Sequence, residues 1–305
     1  MRGFPLLFQA RGAKTHFLVL SSALKKRRKE KMKKVIKIIM VIIGSIIGAG
    51  FASGKEIYLF FARFGMYGIL GLGIMSLIIG GIIYFVLSLV KEKSIQNYHE
   101  FLQTINPKYP KINQIINVIV NSFLLISFYI MVAGFSAYLK QVYQIPIMIS
   151  AFFFMIACYI IFQKNVTGVM KMNEILVPVL LLLIFYLGSK ITGIGGAIEN
   201  SSQNGFFSSI LYASYNSILL IPLLISLQAT KLEKKQIRNI AIGTSVFLFL
   251  LAFIIFGLLY KGIFYAQELE LPLIQIVAEF RENISLSIRN RDTHFHFYIC
   301  HYIRI

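Results

Sequence analysis

Apolar runs and polar breaks alternate along the chain, and seven of the runs come close to or exceed what a helix needs to cross a bilayer. They cover residues 35–61, 67–90, about 112–139, about 146–162, 174–188 with an extension to 191, 206–227 and 240–260. Between the second and third, the connection 91–111 carries Asn106-Pro107 and Tyr109-Pro110, pairs that stop helices. A Gly/Asn/Ser loop at 193–205 precedes the sixth run. An eighth run starts at Leu271-Pro272-Leu273-Ile274 and is cut short by Arg281-Glu282-Asn283. The pattern predicts an all-α polytopic membrane protein: a transmembrane helical domain over 32–280, a basic N-terminal extension over 1–31 and an atypical tail over 281–305.

The first run departs from a plain spanning helix. Gly48, Gly50 and Gly54 fall within seven residues of it, and each weakens a helix by about 1 kcal/mol relative to alanine. At membrane depth, loosened backbone survives only where it meets other protein or lines a cavity. A glycine-rich interruption in a span therefore points to a binding site in transporters built from broken helices. Close helix packing is the other reading, because Gly44/Gly48 and Gly50/Gly54 are two small-xxx-small pairs. The two readings are compatible.

Composition narrows the class. The 305 residues are 57% hydrophobic and 14% charged, against about 25% charged in soluble domains, and the mean hydropathy is +0.73. Without tryptophan, the 16 Tyr and 27 Phe supply the interfacial aromatics. A net charge of +19 would suggest nucleic acid in a soluble protein. Here much of that charge sits in the loops: the N-terminal flank, Lys91/Lys93/Lys108/Lys111, Lys164/Lys171 and Lys231/Lys234/Lys235/Arg238 alternate with connections holding only Arg63, Lys140, Lys190 or Lys261. The alternation predicts a multi-pass membrane protein with a cytoplasmic N-terminus, and no nucleic-acid partner.

Both ends are unusual. Residues 1–31 include Lys25-Lys26-Arg27-Arg28-Lys29 and resemble a presequence without an A-x-A-like cleavage site. Met32-Lys33-Lys34 followed by an apolar run looks like an ordinary bacterial membrane-protein start, so the extension is expected to contribute little to the fold. In the tail, His294, His296, Cys300 and His301 have metal-ligand chemistry without finger-like spacing, and no metal site is expected.

No catalytic constellation appears in the spans, and enzyme activity is not expected. Polar groups inside the spans carry what chemistry there is. Lys55 and Glu56 follow the glycines and point about 100° apart on a helix, so each needs its own partner, water or a route to the interface. In the sixth run Tyr212-Ala213-Ser214-Tyr215-Asn216-Ser217 precedes Pro222. It reads as a second interruption, or as a kinked but continuous helix. Asn113, Asn117 and Asn121 form one stripe in the third run, continued by Ser127, Tyr129 and Ser136, which interhelical hydrogen bonds would also explain. Interruptions in the first and sixth runs, entering from opposite sides, are what an inverted repeat of five helices predicts.

The motif Gly44-Ser45-Ile46-Ile47-Gly48-Ala49-Gly50-Phe51-Ala52-Ser53-Gly54-Lys55-Glu56-Ile57, with Phe60-Phe61 and Phe64-Gly65 after it, resembles the YkvI-type bacterial membrane proteins, distant relatives of the amino acid–polyamine–organocation superfamily. The resemblance covers about 32–280. It implies a broken-helix, five-plus-five inverted-repeat transporter core with solute beside the first and sixth helices. Gly48, Gly50, Phe51, Ser53 and Gly54 would then lie near the solute, with Tyr215 and Asn216 facing them; Glu56, Asn121 and Tyr129 complete the candidate set. The family more often has Gln where Lys55 stands, and seven runs plus a fragment leave the second repeat incomplete. The expected function is secondary active transport of a small amino-acid-like or organic-cation solute, with sodium or a proton as coupling ion and no cofactor. The partners are the lipid bilayer and the solute. A non-transporting ligand sensor and an inactive truncated transporter are the alternatives.

Overall fold

The computed structural model describes residues 5–48, 51, 54–163, 165–190, 205–227 and 232–261. They form α1 (Pro5–Ile46), α2 (Lys55–Phe60), α3 (Met66–Lys93), α4 (Tyr98–Ile105), α5 (Pro110–Tyr143), α6 (Ile147–Phe162), α7 (Asn165–Lys190), α8 (Gly205–Ser226) and α9 (Lys234–Lys261), with a 3-10 turn at Ala62–Phe64. Among the described residues there is no strand, and the all-α membrane class stands. Four helical stretches are long and apolar enough to cross a membrane: Met66–Lys93, Pro110–Ala137, Gly205–Ser226 and Lys234–Leu259. The other expected spans are the broken first, the shorter apolar α6, and α7, which carries Lys171 and Glu174. The fragment at 271–278, the loop 193–204 and the tail lie outside the described residues.

Helix boundaries follow local chemistry. The helix α4 starts at a capping box in which the Asn97 side chain accepts from Glu100 N at 2.9 Å and Glu100 accepts from Gln96 N at 2.8 Å. It ends at Ile105, and Pro110 opens α5, so the two X-Pro pairs do break the chain there. Gln144 closes α5 in the left-handed region, with φ 57°. The helix α1, however, runs unbroken through 31/32, the boundary the sequence suggested, because Lys, Arg, Glu and Ala in that stretch are all good helix formers.

The chain divides into two compact units. The first comprises Met1–Ile46, Met75–Leu180 and Leu211–Phe249. Its core is aliphatic: Ile42, Ile43, Met75, Ile79, Ile83, Leu87, Leu220 and Leu248 are fully or almost fully buried. Small residues bring α3 and α9 together, since a Cβ on Gly80 would lie 2.9 Å from Ser245 Cβ, and Ser245 Oγ donates to the Ser76 carbonyl at 2.7 Å. The helices α5 and α6 instead leave large apolar side chains exposed, among them Ile119, Met131, Met148 and Phe153, as contact with lipid chains requires. At one end of this unit Lys31 pairs with Glu233, and Lys91 donates to the Leu232 carbonyl. Lys31 of the N-terminal flank and Lys91 at the end of α3 thus both reach the segment just before α9.

The second unit comprises Ile47–Ile74, Leu181–Ile210 and Leu250–Ile305. Phe51, Ile57, Phe61, Leu72, Ile255 and Leu259 are buried in it. Its backbones approach closely at glycine. A Cβ on Gly68 would fall 2.1 Å from the Phe61 carbonyl oxygen, and one on Gly71 would fall 2.8 Å from Ser209 Oγ and 3.0 Å from the Gly205 carbonyl. The glycine-rich start of the second span is therefore a packing surface.

Candidate functional site

The first apolar run breaks where the glycines predict. The helix α1 ends at Ile46, Ile47 and Gly48 are not helical, Phe51 is helical, and α2 begins at Lys55. Gly54 caps that restart with φ 81° and ψ −7°, a left-handed conformation that a side chain resists. Its N–H donates to the Phe51 carbonyl at 3.1 Å and its carbonyl accepts from Tyr58 N at 2.8 Å, so the chain turns and re-enters helix within a few residues. Phe51, fully buried, pins the turn from inside. From Val35 to Ile46 is only twelve residues, about 18 Å of helix, which falls short of the bilayer core.

The glycines divide the labour. A Cβ on Gly44 would sit 2.7 Å from Asn173 Oδ1, so Gly44 is a packing glycine against α7. A Cβ on Gly48 would meet nothing within 4 Å. Gly48 is thus not held by a close helix approach among the described residues, as is also true of Gly73, Gly81, Gly134 and Gly257. Gly50 and Ser53 lie outside the described residues. Lys55 is exposed and Glu56 half-buried, both in the first turn of α2.

In the sixth run the continuous-helix reading holds, not the interruption. The helix α8 is continuous from Gly205 to Ser226, with Pro222 inside it. The polar side chains that suggested an interruption turn back onto their own helix: Asn216 Nδ2 donates to the Tyr212 carbonyl at 3.0 Å and Ser217 Oγ to the Ala213 carbonyl at 2.6 Å. Such i−4 back-bonding adds to the ladder rather than replacing it. Asn216 is buried, while Tyr215 is exposed, its ring 6.4 Å from that of Tyr212.

In the asparagine stripe the bonds are local as well. Asn113 is buried and donates to the Asn106 carbonyl at 2.7 Å, tying the start of α5 to the preceding loop. Asn121 donates to Asn117 at 3.3 Å along the same helix. Asn121 and Tyr129 are both exposed. Of the candidate residues, Gly48, Phe51, Gly54 and Glu56 belong to the second unit, whereas Asn121, Tyr129, Tyr215 and Asn216 belong to the first.

One polar contact was not anticipated. Lys37, five residues past Met32, forms a 2.8 Å ion pair with Glu174 of α7, next to the Gly44–Asn173 approach. Opposite charges in two apolar runs were the available signal, since an ionisable group in a span needs a partner.

Comparison with known proteins gives relatives of the expected kind. No family model matches the chain, and no solved structure matches it. A Bacillus subtilis (strain 168) protein named "Uncharacterized membrane protein YkvI" is 26% identical over 261 residues, which are 80% of this chain and 71% of the relative. A second from the same organism, "Uncharacterized protein YyaD", is 28% identical over 207 residues, 66% of this chain and 59% of the relative. The aligned part thus spans less than two thirds of YyaD. With apolar helices of spanning length and an interrupted first run, this chain is similar to the membrane protein YkvI of Bacillus subtilis over four fifths of its length and to YyaD over two thirds.

Proposed function

We propose that the chain is the core of a secondary active transporter that moves a small amino-acid-like or organic-cation solute by alternating access. The observation that carries the reading is the interruption of the first run at Ile47–Gly48 and again at Gly54, which is left-handed, with open space beside Gly48. Irregular backbone in a spanning segment offers peptide groups to a solute, which is how transporters built from broken helices bind theirs. In this reading the solute lies along Gly48, Gly50, Phe51, Ser53 and Gly54, with Glu56 and Lys55 setting the local charge. A five-plus-five inverted repeat, coupling to sodium or a proton, and a cytoplasmic N-terminus complete the proposal. It needs no enzymatic step and no cofactor. The alternating loop charges support the orientation.

The unbroken α8 favours a second reading, a sensor that binds a ligand without moving it. Uptake by the full chain in proteoliposomes separates the two. The probes are radiolabelled amino acids and polyamines under imposed sodium or pH gradients. Transport predicts accumulation that collapses with the gradient and falls at least about tenfold in Gly50→Leu. Ligand-induced thermal stabilisation with no flux for any probe would select the sensor.

A further inference from the structure

Where α1 meets the start of α9, within the first unit, lies a recess of about 410 Å³. Arg27, Arg28, Lys31 and Lys235 line it against one carboxylate, Glu233. That carboxylate is already engaged by Lys31. The first turn of α9 holds Lys234 and Lys235 and no acid, so two cations sit at the positive end of a helix dipole, where an anion is favoured. Glu233 N donates to Gln236 at 2.9 Å, which caps the helix without relieving the charge. Met32 and Val35 form the other part of the wall, at the point where α1 turns from basic to apolar. Where a helix enters a bilayer, its basic-to-apolar junction falls near the lipid phosphates, and basic pockets between helices at that depth bind anionic headgroups.

We propose that this recess binds the headgroup of an anionic phospholipid, with the phosphate among Arg27, Arg28 and Lys235 and the acyl chains passing Met32 and Val35. The excess positive charge selects the headgroup, and the apolar side of the wall selects a lipid over a free anion. Glu233 competes with the phosphate for Lys31.

The test is native mass spectrometry of the full chain in detergent, titrated with phosphatidylglycerol or phosphatidylcholine. The expected result is retention of phosphatidylglycerol in preference to phosphatidylcholine. Arg27→Gln/Arg28→Gln/Lys235→Gln should lower that preference about a hundredfold. Lys93→Gln/Lys108→Gln/Lys140→Gln, which removes as much charge elsewhere, should leave it within about threefold. Glu233→Gln should tighten phosphatidylglycerol binding about fivefold by releasing Lys31. Equal losses in the two triple variants would overturn the proposal. Full displacement of the lipid by inorganic phosphate alone would overturn it too, by making the recess a free-anion site.

Discussion

Gly48 and Gly68 look equivalent in the sequence and are opposite in the structure. A methyl group on Gly68 would run into the Phe61 carbonyl at 2.1 Å, whereas one on Gly48 meets open space. Gly68→Ala should therefore cost about 2–4 kcal/mol, and Gly48→Ala less than about 0.5 kcal/mol, read as thermal unfolding in detergent. Gly54→Ala falls between them, at about 1 kcal/mol, because the φ of 81° is what the substitution strains. The Glu233 carboxyl is held below the usual carboxylate range, first by its hydrogen bond to Lys31 and then by the charges of Lys31, Arg27 and Lys91. A depressed carboxyl stabilises the fold above its unfolded pKa and loses that contribution as pH falls through its folded one. The contact between the α1 flank and the α9 start should thus loosen below the ordinary carboxylate range, which a cross-link between cysteines at 30 and 232 would follow across an acid titration. Which glycine packs and which one turns depends on neighbours far along the chain, so spacing identified the group without sorting its members.

At the scale of elements, most starts and stops were legible. Pro107, Pro110 and Pro146 end or open helices where they stand, and Gly48 and Gly54 mark non-helical positions in the first run. The state of α8 was not legible, because Asn and Ser favour an interruption when their side chains replace backbone bonds and are neutral when they bond the i−4 carbonyl. Only the structure shows that Asn216 and Ser217 do the second. The ion pair of Lys37 with Glu174 was hidden for a different reason: it joins runs that are distant in sequence. Asn216→Ala removes a bond to a carbonyl that keeps its helical partner, so stability should change by less than about 1 kcal/mol. If the sixth span takes part in transport as the resemblance implies, uptake should fall several-fold in that variant while the melting temperature holds. Loss of both together would reduce Asn216 to a structural role.

For the whole molecule, a helical membrane protein was readable from hydropathy alone, and in the first unit Lys31 and Lys91 both reach the segment at 232–233. Function rests on a narrower base, the open stretch in the first run. A break that exists to bind solute must be reachable from water in a way that a dry helix seam is not. The direct measurement is labelling of single cysteines at 42, 43, 47, 48 and 54 with a membrane-impermeant maleimide, in a Cys158→Ser/Cys300→Ser background. A solute-binding break gives fast labelling at 47 and 48, slowed by transported solute, and none at the buried positions of Ile42 and Ile43. Uniform protection from 42 through 54 would contradict it and leave the glycines a packing role alone.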